Sequence, residues 1–254
     1  MTHITHLRPS ALDEPFGSTT RMGLINLSTD PIIERDFHAL VPDERLAVFS
    51  TRIPLEIPNS ERTFAKLHAE LEPAARLLVP LTRLDSIVFG CTSASTVIGP
   101  DNVEAAIRRA RPDAYVTNPA TAAIRALTRL KARNVAVVTP YTMDMAAHVV
   151  EFVEGQGFAV RYASGAGFDD DQTIGSIPPA YFVDVVRSYD LSSIDAIFFS
   201  CTGIQVLDSI ARVEEMTGLP VVTSNQAAFW DAARMGGWRD PIHGYGRLLE
   251  GEWD

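Results

Sequence analysis

Two stretches of the chain repeat one pattern, in which an apolar run is followed by cysteine and threonine. They read Ser86-Ile-Val-Phe-Gly-Cys91-Thr-Ser and Ala196-Ile-Phe-Phe-Ser-Cys201-Thr-Gly, and they contain the only two cysteines of the 254 residues. Each apolar run has the length of a buried strand, and a helical pattern follows each Cys-Thr pair. The repeat therefore predicts two α/β units, each with a thiol at the carboxyl end of a strand.

The rest of the chain alternates strand-like and helix-like segments, which is typical of parallel sheets with crossover helices. A second echo joins Val116-Thr-Asn-Pro-Ala to Val222-Thr-Ser-Asn-Gln-Ala. We predict two pseudosymmetric, flavodoxin-like α/β halves with the active site in the cleft between them. The first half takes residues 1–118 and 226–254, and the second takes residues 119–225. We also expect one long helix from Ser60 to about Leu78 and a loop from Ala163 to Gly175.

A cysteine between a strand and a helix lies among unpaired backbone N–H groups at the positive end of a helix dipole. We expect this setting to favour the thiolate and to hold a carboxylate. Three other interpretations of the cysteines are a buried structural thiol, a disulfide and a metal site. The polar residues after each cysteine disfavour the first. Without a Cys-x-x-Cys motif or clustered histidines, the third is also disfavoured.

Composition narrows the class of partner and the compartment. The formal net charge is −10 with a pI near 5.1, which argues against nucleic acid as a partner. No run of 18 apolar residues is present, so we expect no membrane association. The chain begins Met-Thr-His-Ile-Thr without a basic and apolar leader, so we expect a cytoplasmic protein without disulfides.

With these motifs placed, the chain resembles the cofactor-independent aspartate/glutamate racemase superfamily. Within it, the chain is most similar to the branch of maleate cis-trans isomerases and arylmalonate decarboxylases, which includes the ectoine-utilisation protein A. The resemblance covers Gly23 to Phe229 and rests on four motifs in order: Gly23-Leu-Ile-Asn-Leu-Ser, Gly90-Cys-Thr-Ser, Val137-Val-Thr-Pro-Tyr and Ser200-Cys-Thr-Gly.

The resemblance implies a role for each matched residue. Cys91 resembles the attacking thiol of the isomerases, and Cys201 resembles its acid/base partner. Asn26 and Tyr141 match positions whose side chains hold substrate carboxylates, and Asp171 falls where the family has a further asparagine. An Asp would bind a carboxylate poorly there. The family uses no cofactor and no metal.

The reaction builds negative charge on carboxylate oxygens, which fixed donors must receive. We expect those donors from the N–H groups and hydroxyls of four residues beside the cysteines: Thr92, Ser93, Thr202 and Gly203.

We therefore predict an isomerase or racemase of a small carboxylic acid, with ectoine or hydroxyectoine breakdown as one setting. Two alternatives remain. One is an arylmalonate-type decarboxylase that uses Cys201 as proton donor, and the other is a non-catalytic, two-lobed binding protein. We expect a homo-oligomer, either a dimer or a tetramer.

Overall fold

The computed structural model describes residue 2, residues 4–11 and residues 16–251. Within them, eight strands form two parallel four-stranded sheets. The first sheet contains β1 (Thr20–Leu27), β2 (Leu46–Ile53), β3 (Ser86–Gly90) and β4 (Tyr115–Thr117). The second contains β5 (Asn134–Val138), β6 (Ala159–Ser164), β7 (Ala196–Phe199) and β8 (Val221–Thr223).

Both sheets have the same strand order. It is β2-β1-β3-β4 in the first sheet and β6-β5-β7-β8 in the second. Strands β3 and β7 are buried along their whole length, as expected for central strands covered by helices on both faces. The predicted pair of pseudosymmetric α/β halves is confirmed.

Helices connect the strands and cover the sheets. Their ranges are α1 (Ile33–Leu40), α2 (Glu61–Lys66), α3 (His68–Leu77), α4 (Thr92–Ile98), α5 (Pro100–Arg108), α6 (Pro119–Arg129), α7 (Met143–Gly155), α8 (Asp171–Gly175), α9 (Pro179–Arg187), α10 (Ile210–Thr217), α11 (Ser224–Met235) and α12 (Arg247–Glu250). Among the residues that the structure describes, no helix is long and apolar enough to cross a membrane.

Two local predictions were wrong. The expected single helix from Ser60 is divided at Leu67, whose N–H bonds the Phe64 carbonyl three residues back (3.0 Å). The expected loop at 163–175 contains α8, which begins because the Asp170 side chain accepts the Thr173 N–H (2.8 Å) and caps it. This helix buries Asp171, which lies within the expected loop.

The strand order places the site. In each sheet the order reverses between the two central strands, and ligands of such sheets bind beyond the carboxyl ends of strands at that point. In the first sheet these strands are β1 and β3, with Asn26 in register with Gly90, directly before Cys91. In the second they are β5 and β7, which lead to Tyr141 and Cys201.

Helix α11 packs against α6, β3, β4 and α1, so the chain returns to the first sheet after β8. Its N-cap is Thr223, whose side chain accepts the Gln226 N–H (3.1 Å) while the Gln226 side chain accepts the Thr223 N–H (3.2 Å). The boundaries at 118/119 and 225/226 stay predictions. The parts of the predicted first half at residues 1, 3, 12–15 and 252–254 lie outside the described residues.

Candidate active site

Cys91 is the N-cap of α4, immediately after β3. Its Sγ accepts the N–H of Ala94 at 3.4 Å, and the Ser93 hydroxyl lies 3.9 Å from the same sulfur. Strand β3 ends on Gly90, where a Cβ would come within 2.8 Å of Ile33 Cδ1. The small residue before the cysteine therefore lets α1 approach the strand end closely, beside the thiol.

Cys201 follows β7 and begins a turn rather than a regular helix. Its Sγ accepts the N–H of Gly203 at 3.3 Å. A Cβ on Gly203 would lie 3.3 Å from Ile174 Cγ2 and 3.7 Å from the Cys201 sulfur. Helix α8 therefore packs directly against the loop that holds the second thiol.

A chain of polar side chains joins the two thiols. The Tyr141 hydroxyl lies within hydrogen-bonding reach of both Cys201 and Ser93, and Ser93 in turn lies beside Cys91. The Tyr141 ring is buried, and the residue forms a parallel bridge with Phe168. The structure thus brings Cys91, Ser93, Tyr141 and Cys201 into one site between the halves.

Both cysteines are free and buried. Burial raises the pKa of the Cys91 thiol to about 12, although the Ala94 N–H acts in the opposite direction. Burial also raises the pKa of the Cys201 thiol well above its usual value, although hydrogen bonds from the Tyr141 hydroxyl and the Gly203 N–H act to lower it. The expectation that the helix starts favour the thiolate is wrong for this closed site, because desolvation outweighs the donors.

Asn26 lies at the end of β1 and is fully buried. Its Oδ1 accepts the N–H of Leu27 (2.7 Å), and its Nδ2 donates to the carbonyl of Asp30 (3.3 Å). These two contacts hold the amide at the carboxyl edge of the first sheet. Among the hydrogen bonds of the described residues, one Nδ2 hydrogen has no acceptor.

Asp171, the first residue of α8, is bound by residues of the first half. Its Oδ2 accepts the hydroxyl of Thr29, and its Oδ1 accepts Nδ2 of Asn59 (2.9 Å). The Asn59 N–H also donates to the carbonyl of Asp169 (2.8 Å). These contacts cross the cleft and hold α8 over it.

Asp30 was not predicted as a site residue. It is 1% exposed, and its Oδ1 accepts the N–H groups of Ile32 (2.7 Å) and Ile33 (3.1 Å). Burial raises the pKa of the Asp30 carboxyl, and the nearby Thr202 hydroxyl lowers it. The sequence feature that could have identified Asp30 is its position just after β1, at the sheet edge that also carries Asn26.

The threonine after each cysteine connects the thiol's segment to helix α11. The Thr92 hydroxyl donates to Ser224 Oγ (2.8 Å), so this side chain links Cys91's helix to α11. The Thr202 carbonyl accepts Nδ2 of Asn225 (2.9 Å), which also donates to Asp36 Oδ2 (2.8 Å). Asp36 and Asn225 were not predicted, because 189 residues separate them in sequence.

In the part of the chain that the structure describes, no group of three His, Cys, Asp or Glu side chains could hold a metal ion. The groups present at the site are two thiols, a phenol, hydroxyls, backbone N–H groups and two carboxyls. Such a set can move protons and can add a thiolate to an electron-poor carbon.

Comparisons with known proteins agree with this geometry. The family model of arylmalonate decarboxylase matches residues 60–249. The maleate isomerase of Nocardia farcinica is 29% identical over 240 residues, which is 90% of this chain and 95% of that protein. The arylmalonate decarboxylase of Bordetella bronchiseptica is 34% identical over 137 residues, 53% of this chain and 57% of that protein.

One similar solved structure shows covalent chemistry. It is the Nocardia farcinica maleate cis-trans isomerase with one cysteine replaced by serine and a covalently bound succinylcysteine intermediate. It has a TM-score of 0.85 and 27% identity, and it covers 91% of this chain and 98% of that one.

The chain belongs to the arylmalonate decarboxylase family, and the predicted resemblance to this branch is confirmed. Within that family it is an isomerase that uses cysteine, as the sequence predicted.

Proposed function

We propose that this protein is a cofactor-independent cis-trans isomerase or racemase of a small carboxylic acid, with Cys91 and Cys201 as its two reacting groups. The observation that carries the proposal is the pair of buried thiols joined through Ser93 and Tyr141. One thiol comes from each half, so a ligand in the cleft meets both.

In the isomerase reaction, Cys91 Sγ adds as a thiolate to one carbon of a cis double bond. The electron pair of that bond moves to the neighbouring carbon, which takes the proton of the Cys201 thiol. The new C–C single bond then rotates. Cys201 takes a proton back, the double bond re-forms, and the Cys91 thiolate leaves from the trans product.

In the racemase reaction, one thiolate removes the proton next to the carboxylate. The other thiol delivers a proton to the opposite face. In both reactions negative charge develops on carboxylate oxygens. We propose that Asn26, Tyr141 and the N–H groups or hydroxyls of Thr92, Ser93, Thr202 and Gly203 receive that charge.

Thiolate formation has to occur inside a site that disfavours it. Burial and the charges of Asp30 and Asp171 raise the pKa of both cysteine thiols in the closed site. A reactive thiolate therefore requires a change that bound substrate or an open cleft supplies. We infer that α8 moves away to admit substrate, because its contacts with Thr29 and Asn59 cross the cleft.

A second candidate is decarboxylation of a malonate derivative with Cys201 as the proton donor. The family description supports it. Cys91 has no role in that reaction, whereas the geometry places Cys91 in the same polar chain as Cys201, so the isomerase remains our first proposal.

The wider setting is also a proposal. The sequence resemblance to ectoine-utilisation proteins supports a reaction in ectoine or hydroxyectoine breakdown. The acidic composition supports a protein without nucleic-acid partners. We also propose a cytoplasmic homo-oligomer, a dimer or a tetramer, without membrane partners.

The test is a screen of small carboxylic acids in D2O, followed by proton NMR. We expect cis-trans conversion, or exchange of the α-hydrogen for deuterium, with at least one four- or five-carbon acid. Release of carbon dioxide from a disubstituted malonate without either of those signals would favour the decarboxylase. A chain that binds an acid but never converts it would contradict catalysis.

A further inference from the structure

Two carboxyl groups, one from each half, lie close enough to the pair of thiols for their charges to act on both. Asp30 is 1% exposed and Asp171 is 7% exposed. Oδ1 of Asp30 accepts two backbone N–H groups at the start of α1. Its buried Oδ2 accepts no hydrogen bond among the described residues, although the Thr202 hydroxyl lies near this carboxyl. An unpaired, buried carboxylate oxygen is costly, so this atom needs either a donor or a proton of its own.

Asp171 is held in position by the opposite half. It accepts the Thr29 hydroxyl and the Asn59 amide, so the carboxylate cannot turn out of the cleft without breaking both contacts. Its helix is also tied to the loop of the second thiol, because Gln205 Nε2 donates to the Gly175 carbonyl at 2.5 Å. The carboxylate is thus a fixed part of the closed site.

Among the described residues, no ion pair includes the Asp30 or the Asp171 carboxyl. Arg35 pairs with Asp36 (2.8 Å). Arg52 pairs with Glu34 (2.6 Å) and donates to the backbone carbonyl of Asp30 (2.9 Å), not to its carboxyl. The charges of Asp30 and Asp171 both act on both thiols and raise the pKa of each.

We infer that this acidic end of the cleft binds a hydrogen-bond donor of the substrate, an ammonium or a hydroxyl group. The inference rests on the proposed function. It means that the substrate carries one carboxylate and one donor group rather than two carboxylates.

Asn26, Tyr141 and the backbone N–H groups supply donors for the one carboxylate, and the two aspartates supply acceptors for the other end. A second carboxylate there would be repelled by the negative charge of Asp171 and would leave Asp30 Oδ2 unpaired. Both effects disfavour a dicarboxylate relative to a ligand with a donor group at that end. An ammonium at the same place would also offset the two charges that oppose thiolate formation.

Binding of three saturated four-carbon acids tests this inference. Their dissociation constants are measured by ligand-observed NMR titration for succinate, 4-aminobutanoate and 4-hydroxybutanoate. We expect 4-aminobutanoate to bind the wild-type protein at least about tenfold more tightly than succinate, with 4-hydroxybutanoate between them. Equal binding, or tighter binding of succinate, would overturn the inference and leave the proposed function intact.

A matched pair of variants locates the effect. In Asp171→Asn, we expect the preference for 4-aminobutanoate over succinate to fall at least about tenfold. Asp169→Asn removes the same charge two residues away at an exposed position and should leave the preference within about twofold. An unchanged preference in Asp171→Asn would overturn the role of Asp171.

Asp30→Asn is a second variant that keeps an oxygen for the Ile32 and Ile33 N–H groups, and the same loss of preference is expected. Weak binding of all three acids to a folded wild-type protein, with no turnover in the NMR screen, would overturn the inference and the proposed function together.

Discussion

The two halves begin with the same motif and then surround their cysteines differently. Cys91 caps a regular helix, and its sulfur has a backbone N–H and a serine hydroxyl as neighbours. Cys201 begins an irregular turn that reaches a 3-10 helix only at Leu207, and its sulfur has a backbone N–H and the Tyr141 phenol as neighbours.

This difference supports the proposed roles of the two cysteines. The helix start gives Cys91 Sγ a backbone N–H donor that offsets part of the cost of burial when the thiolate forms, which suits Cys91 as the attacking group. A phenol can donate to a sulfur and accept from a serine at the same time. Tyr141 can therefore orient the Cys201 thiol and stay hydrogen-bonded to its sulfur while the proton is transferred. The two halves thus present similar thiols, and the groups beside each sulfur make the two unequal.

Serine substitution at the cysteines should have the largest effect. We expect Cys91→Ser and Cys201→Ser each to lower turnover by more than about a hundredfold, because a hydroxyl is a far weaker nucleophile and acid than a thiol. The double variant should be scarcely slower than either single one, since the two groups act as a unit. Steady-state kinetics with the substrate from the NMR screen measures this.

Additive losses in the double variant would show that the thiols act in separate steps or sites. A single variant that retains the wild-type rate would remove that cysteine from the mechanism. A decarboxylase that uses Cys201 alone would lose activity only in Cys201→Ser.

Tyr141→Phe should have the next largest effect, because it removes the phenol donor that distinguishes the two cysteines. Losing one hydrogen bond to a charged group costs roughly 1.5–3 kcal/mol, so we expect kcat/KM to fall about ten- to a hundredfold. The melting temperature should barely change, because the buried ring is retained.

Tyr245→Phe is the control, since it removes a hydroxyl that donates only to the Ala39 carbonyl (3.2 Å). Unchanged kinetics in Tyr141→Phe together with a lowered melting temperature would make Tyr141 a structural residue.

Asp36→Asn should have the smallest effect on turnover, within a few-fold, and a clear effect on the pH dependence of stability. Burial raises the pKa of Asp36 to about 6, from 3.8, despite Asn225 and Arg35. The folded protein therefore holds this proton more tightly than the unfolded chain. The contribution of protonated Asp36 to the free energy of unfolding is fully present below about pH 4, and it is lost as the pH rises through about 6.

The loss is on the order of 1–3 kcal/mol in the free energy of unfolding. We compare urea unfolding of the wild type and Asp36→Asn between pH 4 and pH 7. The difference between the two proteins contains the contribution of Asp36, because the other buried carboxyls are present in both. The wild-type free energy of unfolding should fall relative to that of the variant over this range. A constant difference would show that Asp36 is charged throughout.

The repeat in the sequence predicted the sheets and the position of both cysteines, because strand length and strand-end residues are local signals. It could not predict contacts between distant segments. Asp30 and Asp36 reach the site only through the way the halves pack, against Thr202 and Asn225. The protonation of the thiols depends on the same packing, since burial rather than the local helix start decides it.

The central claim is that Cys91 attacks and Cys201 handles the proton. Intact-protein mass spectrometry of the two serine variants, each incubated with the cis acid that the wild-type enzyme isomerises, tests it most directly. We predict that Cys201→Ser accumulates a covalent adduct of the substrate mass on Cys91, and that Cys91→Ser accumulates none. An adduct on Cys201, or no adduct in either variant, would contradict this assignment.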